Sequence, residues 1–199
     1  MIKVLFAAAI LAASTVTAAS AANAPAANAG LGGPLIKGVC LLSKEAVVAN
    51  AKAGLAIDAR LKQLEAQAQA EVNGQRAPVD ADLKVLQADA AKTPAPPAAD
   101  LEKRRLAIQA RYQPIQELAD QRNREILATR QKALDSLSAQ MQPVLATAYK
   151  AHGCGLLLDR NTVLGGNMSD DLTSDVVKGL DAKVATMTFD RESLPPAKK

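Results

Sequence analysis

The stretch Ile57-Asp58-Ala59-Arg60-Leu61-Lys62-Gln63-Leu64-Glu65-Ala66-Gln67-Ala68 decides how this chain folds. Ile57, Leu61, Leu64 and Ala68 recur at spacings of 4, 3 and 4, which places them on one stripe of an α-helix. Beyond Gly74 and Pro78, the residues Val79, Leu83, Leu86 and Ala90 repeat those spacings. So narrow a stripe calls for a second helix along a coiled-coil-like seam. Asp58/Lys62 and Asp80/Lys84 stand four apart with the acid first, the favourable order on a helix surface. Pro78 predicts a kink or an interruption, because its ring removes a backbone hydrogen bond.

The partner helix lies downstream. Thr93-Pro94-Ala95-Pro96-Pro97-Ala98-Ala99 cannot be regular helix, and Asp100 is the expected N-cap of the second helix. Ile115, Ala119, Arg122, Ile126, Thr129, Ala133 and Leu137 hold spacings of 4 and 3, and Val144 and Ala148 continue the stripe. No glycine occurs between Gly74 and Gly153, and all twelve glutamines fall between Gln63 and Gln142. The shift in composition marks one helical-hairpin arm over residues 45–152, with its tip near 93–99. At about 1.5 Å per residue, each half of it spans roughly 65–70 Å if straight. Pro114 and Pro143 predict bends in the return half.

The arm is flanked by short apolar runs. Lys37-Gly38-Val39-Cys40-Leu41-Leu42-Ser43 reads as one strand, Leu156-Leu157-Leu158-Asp159 as a second and Asn161-Thr162-Val163-Leu164 as a third, with a turn near Arg160-Asn161. Asp171-Leu172-Thr173 opens a last helix with Val176, Val177 and Leu180 on its apolar face. Residues 37–44 and 153–185 therefore form a small β/α body. Residues 1–21 read as a signal peptide: Lys3, an apolar run from Val4 to Ala13, and an Ala19-Ser20-Ala21 cleavage box. A flexible leader at 22–36 and a disordered tail at 186–199 complete the expected division.

Composition agrees with a mostly α chain. It has 42 alanines and only 2% aromatic residues, with no tryptophan. Alanine offers the best helix propensity and little area to bury, which argues against a β-sandwich or a doubly wound enzyme. The formal charge is +4, or +3 once Lys3 leaves with the signal peptide, too weak to argue for nucleic acid. The only cysteines, Cys40 and Cys154, are 114 positions apart. In an exported protein they form either one bridge at the base of the arm or two free thiols.

Catalytic and metal constellations are missing. His152 is the only histidine, so a zinc site has no ligand set and a Ser/His/Asp site has no nucleophile motif. It reads as a helix-end residue facing terminal carbonyls. Gly165-Gly166 reads as a turn, and Asp170-Asp171 as capping. No enzyme and no cofactor is expected. Lys103-Arg104-Arg105, near the tip, either meets acidic lipid head groups or acidic polypeptide, or is a solvated helix face beside Asp100 and Glu102. Arg122, Arg124 and Arg130 either line a cavity or snorkel along the seam.

Three short strands make a sheet that is barely stable alone, and it must anchor a long arm. Association through Val39, Leu41, Leu156, Leu157, Leu158 and Val163 solves both problems, and cyclic symmetry is the usual form.

The element order and two end segments resemble the Skp/OmpH family of periplasmic chaperones for outer-membrane proteins. The segments are Gly155-Leu156-Leu157-Leu158-Asp159-Arg160-Asn161-Thr162-Val163-Leu164 and Asp171-Leu172-Thr173-Ser174-Asp175-Val176-Val177, with Val39-Cys40-Leu41-Leu42 near the mature start. The resemblance covers about 38–182. It implies a homotrimer with a β-barrel-like base, three helical tentacles around a cavity, and ATP-independent holding of unfolded outer-membrane β-barrel proteins in the periplasm. Cys40, Cys154, Pro78 and the Pro-rich tip depart from the family pattern. A structural or adaptor coiled-coil protein of the envelope is the alternative; it would carry more flanking β sequence.

Overall fold

The structure, a computed structural model, describes residues 31–195. The expected signal peptide, the leader up to residue 30 and residues 196–199 lie outside the described residues. The chain runs β1 (Val39–Leu42), α1 (Lys44–Asn50), α2 (Lys52–Ala90), α3 (Ala98–Ala151), β2 (Leu156–Asp159) and α4 (Thr173–Lys183). The fold is mostly α with a small sheet.

At the base, Ser43 turns strand into helix. Its hydroxyl accepts the Ala46 N–H at 3.1 Å and its own N–H donates to the Thr173 hydroxyl at 2.9 Å, tying α1 to the start of α4. The helix expected from Lys44 onward is broken at Ala51, whose backbone is extended. Gly54 permits this corner, since a Cβ there would fall 1.8 Å from the Val48 carbonyl oxygen. The Asp181 carboxylate of α4 accepts the Lys52 N–H at 2.7 Å and so caps the new helix start.

α2 and α3 then run as continuous helices of 39 and 54 residues. Pro78 does not interrupt α2, and neither Pro114 nor Pro143 ends α3. Each proline removes one ladder bond, and packing along the seam supports the remaining turns. At about 1.5 Å per residue the arms measure roughly 58 and 81 Å. The return helix is longer because it also runs alongside the base. α3 begins at Ala98 behind Pro97, so Asp100 lies in the first turn and not at the cap. There its charge still suits the helix dipole.

The sheet differs from expectation. β1 and β2 pair in parallel, with Val39 opposite Leu156 and Leu42 opposite Asp159; the whole arm is the crossover between them. The third strand at Asn161–Leu164 is absent. Arg160–Thr162 instead make a 3₁₀ turn, because the Asp159 carboxylate accepts the Asn161 N–H at 2.9 Å and its carbonyl accepts the Thr162 hydroxyl at 2.8 Å. The far side of β1 is closed by the start of the last helical segment: Leu41 N–H donates to Asp170 O and Leu172 N–H to Leu41 O, both at 2.9 Å. Cys40 and Cys154 are disulfide-bonded with Cα atoms 5.7 Å apart, joining β1 to the residues that follow α3.

One apolar core fills the base and continues into the proximal arm. Leu42, Val47, Ile57, Leu61, Leu137, Met141, Leu172, Val176 and Leu180 are all buried in it. The segment after α4, expected to be disordered from residue 186, instead lies along the arm as far as residue 195. Phe189 packs there on Leu64, Ala68 and Ile126.

Candidate functional site

The arm dominates the molecule, and three zones can be followed up it. The lowest belongs to the core. There the sequence stripe is accurate: Ile57, Leu61, Leu64, Ala68, Ala133 and Leu137 are buried.

Above it lies a polar groove between α2 and α3. Arg122, expected on the seam, donates to Glu71 at 2.6 Å and to Glu125 at 2.8 Å. Glu125 is only 2% exposed and is also met by Arg191 of the tail at 3.2 Å. Burial pushes the Glu125 carboxyl up, but its hydrogen bonds to Gln121, the Leu194 N–H and Arg122 prevail and hold it below the ordinary carboxylate range. Glu71 behaves the same way: burial raises it, and Arg122 and Arg191 lower it further. These groups and the tail line an open cavity of about 370 Å³. The sequence reading missed Glu125 and the tail. One usable signal was Phe189, a lone aromatic in the segment expected to be disordered.

The distal zone is a separate, smaller cluster of Val79, Leu86, Ile108 and Ile115. Pro78 and Pro114 both line an open cavity of about 400 Å³ beside it. Polar bridges link the two helices here: the Tyr112 hydroxyl donates to Asp80 at 2.6 Å, Arg111 pairs with Asp82, and Arg104 pairs with Asp89 at 2.7 Å. The hydrogen bond to Asp80 raises the Tyr112 phenol above its usual range. Asp80 thus serves Tyr112 and Arg76, and not Lys84 as the helix spacing suggested.

The basic run at the tip is largely satisfied within the chain. Arg104 is held by Asp89, and Arg105 makes a two-pronged bond with Glu102 at 2.7 and 2.8 Å. Hydrogen bonds from Lys92 and Arg104 hold the Asp89 carboxyl below its ordinary range, and Arg105 does the same to Glu102. Lys103 is exposed. His152 does cap the end of α3, but its Nε2 meets the Asp175 carboxylate at 2.9 Å in place of the carbonyls expected. Among the described residues no group of three or more His, Cys, Asp or Glu could hold a metal ion, and no helix is long and apolar enough to cross a membrane.

The body residues divide by face. Leu41 is buried, while Val39, Leu157 and Val163 are half-buried. Leu156 and Leu158, 51% and 37% exposed, lie on β2, whose outer edge no strand covers among the described residues. Leu164, past the turn that follows β2, is fully exposed. Along the arm, Leu55, Val85, Leu106 and Leu127 are all more than half exposed. Val85 and Leu106 lie at the same level of the arm, between the Asp82–Arg111 and Asp89–Arg104 bridges.

Residues 38–180 match the family model described as outer membrane protein (OmpH-like). Among solved structures, the chain is similar to an OmpH-like protein of Caulobacter crescentus CB15, solved as a candidate outer membrane chaperone. The two are 37% identical over 81% of this chain and 94% of that one, with a TM-score of 0.71. No curated protein matches the sequence.

Proposed function

The chain belongs to the OmpH-like chaperone family, and from that premise we propose that it is an ATP-independent periplasmic holdase for unfolded outer-membrane proteins. The observation that carries this reading is the exposure of apolar side chains along a long arm. Leu55, Leu127 and the distal pair Val85 and Leu106 are each more than half exposed. Single leucines and valines offer weak, non-directional contact, and many such contacts hold a chain without selecting one sequence. Release then follows from the client's own folding, which removes its apolar surface; no nucleotide is consumed.

The open edge of β2 supports self-association. Unpaired strand edges bearing leucines invite another strand, and Leu156 and Leu158 on β2 and Leu164 past the following turn supply apolar area. In this reading Val39, Leu41, Leu156, Leu157, Leu158 and Val163 form the shared body, and a trimer closes it with the arms around a cavity. Lys103 is the tip cation through which acidic lipid or an acidic client segment is met, since Arg104 and Arg105 already pair with carboxylates.

Replacing residues 74–118 by a short turn tests the reading. The cut spares the core and the Glu71–Arg122 bridge. Light scattering should still report the oligomer, while protection of an unfolded outer-membrane β-barrel from aggregation is lost. A monomer at micromolar concentration, or full protection by the shortened chain, overturns it. Retained structure with no holding activity even in the intact chain would favour a scaffold role.

A further inference from the structure

The tail after α4 is bound as a ligand would be. Four of its contacts with the arm are made through main-chain atoms. Arg60 Nε donates to Phe189 O at 2.8 Å, and Glu192 N–H donates to the Thr129 hydroxyl at 2.9 Å. Gln121 Nε2 donates to Leu194 O at 3.2 Å, and Leu194 N–H to Glu125 Oε1 at 3.4 Å. Donors and acceptors that meet backbone groups do not depend on the sequence of the bound segment. Four side chains add selectivity. Asp190 pairs with Arg60 at 3.0 Å and Glu192 with Lys132 at 2.7 Å. Phe189 fills the apolar patch of Leu64, Ala68 and Ile126, and Arg191 reaches Glu71 at 3.0 Å and the buried Glu125 at 3.2 Å. Glu125 is the decisive feature: a carboxylate only 2% exposed, shared between a cation of α3 and a cation of the tail. A segment serving only to cover the arm would need apolar contact alone.

We propose that the α2/α3 groove is a peptide-binding site for an extended polypeptide segment carrying an aromatic residue and, two positions on, an arginine, and that residues 186–194 occupy it as an internal competitor. The groove itself does not depend on the holdase reading; that its external ligand is a stretch of unfolded client does rest on that reading. Because the tail is tethered, its effective concentration is high, and an outside segment displaces it only when presented at high local density. Client capture would then free the tail, and client release would restore it.

The experiment measures binding of a fluorescent peptide with the sequence of residues 186–195 by anisotropy. The full mature chain is compared with its Phe189→Ser/Arg191→Glu variant, whose tail keeps its length but loses its aromatic contact and its hold on Glu71 and Glu125. The variant should bind the peptide at least tenfold more tightly than the parent. A chain ending at Ala185 should show the same gain, which guards against incomplete release of the altered tail. Adding Arg60→Ala to either variant should reverse the gain. Equal binding by parent and both variants, or a gain that survives Arg60→Ala, overturns the proposal and leaves the tail as a structural strap. Aggregation protection measured on the same proteins separates the two readings. Peptide binding that behaves as expected without any protection sinks the holdase reading alone. Protection with unchanged peptide binding sinks the groove alone.

Discussion

The proximal and distal halves of the arm are made of the same two helices and are held together differently. The proximal half shares one apolar core with the base and is crossed by the tail. The distal half has its own cluster of four buried residues and is laced by polar bridges that are exposed or only part-buried. Burial scales with stability, and exposed ion pairs contribute little. One helical hairpin can therefore be a rigid stalk below and a loosely closed pair of helices above.

That contrast is open to measurement. The largest effect is expected at the base. Removing the Cys40–Cys154 bridge opens a loop of 114 residues, at a cost of about 2–5 kcal/mol. Thermal melts with and without reductant should show it as a lower main transition, and an unchanged melt would mean that the bridge does not support the core. Next, Leu137→Ala should cost about 2–5 kcal/mol, because it empties a fully enclosed site. Leu86→Ala should leave the main transition nearly in place and instead speed hydrogen exchange only at distal amides. If the two substitutions shift the melt equally, the halves are one cooperative unit.

A smaller effect concerns acid. Glu71 and Glu125 have an ordinary value of 4.5, and in the folded chain both are held below it. Their contribution is therefore complete above about pH 4.5 and is lost as pH falls through the lower folded values. Melts between pH 7 and pH 3 should show the parent losing stability in that acid window, with a shallower loss in Glu125→Gln; parallel curves would remove the groove charges from the account. The smallest effect belongs to the distal surface, where Arg111→Ala should cost under about 1 kcal/mol by chemical denaturation. A larger loss would show that the polar bridges, and not the four apolar residues, hold the upper arm closed.

Much of this was legible from residue spacing. The 4-and-3 repeats placed Ile57, Leu61, Leu64, Ala133 and Leu137 on the seam, because a helix converts those spacings into one face whatever else surrounds it. The Pro-rich run marked the hairpin tip for a similarly local reason: proline cannot continue a helix past its own missing N–H. At Pro78, Pro114 and Pro143 the same local rule does not end the helix, because packing across the seam outweighs one lost bond. Asn161–Leu164 has strand-like composition, yet the Asp159 side chain diverts it into a turn. Asp159 was visible in the sequence, but its competing hydrogen bonds were not.

Residue order alone specified the helical hairpin, its tip and the two apolar ends. All of these depend on periodicity and on residues that forbid helix, which act within a few turns of chain. Tertiary packing was needed to set β1 and β2 parallel, to bring Cys40 to Cys154, to bury Glu125, and to lay the tail in the groove with Arg191 beside it. Each of these joins residues many positions apart. Their energy exists only once the helices have packed and water has left the space between them.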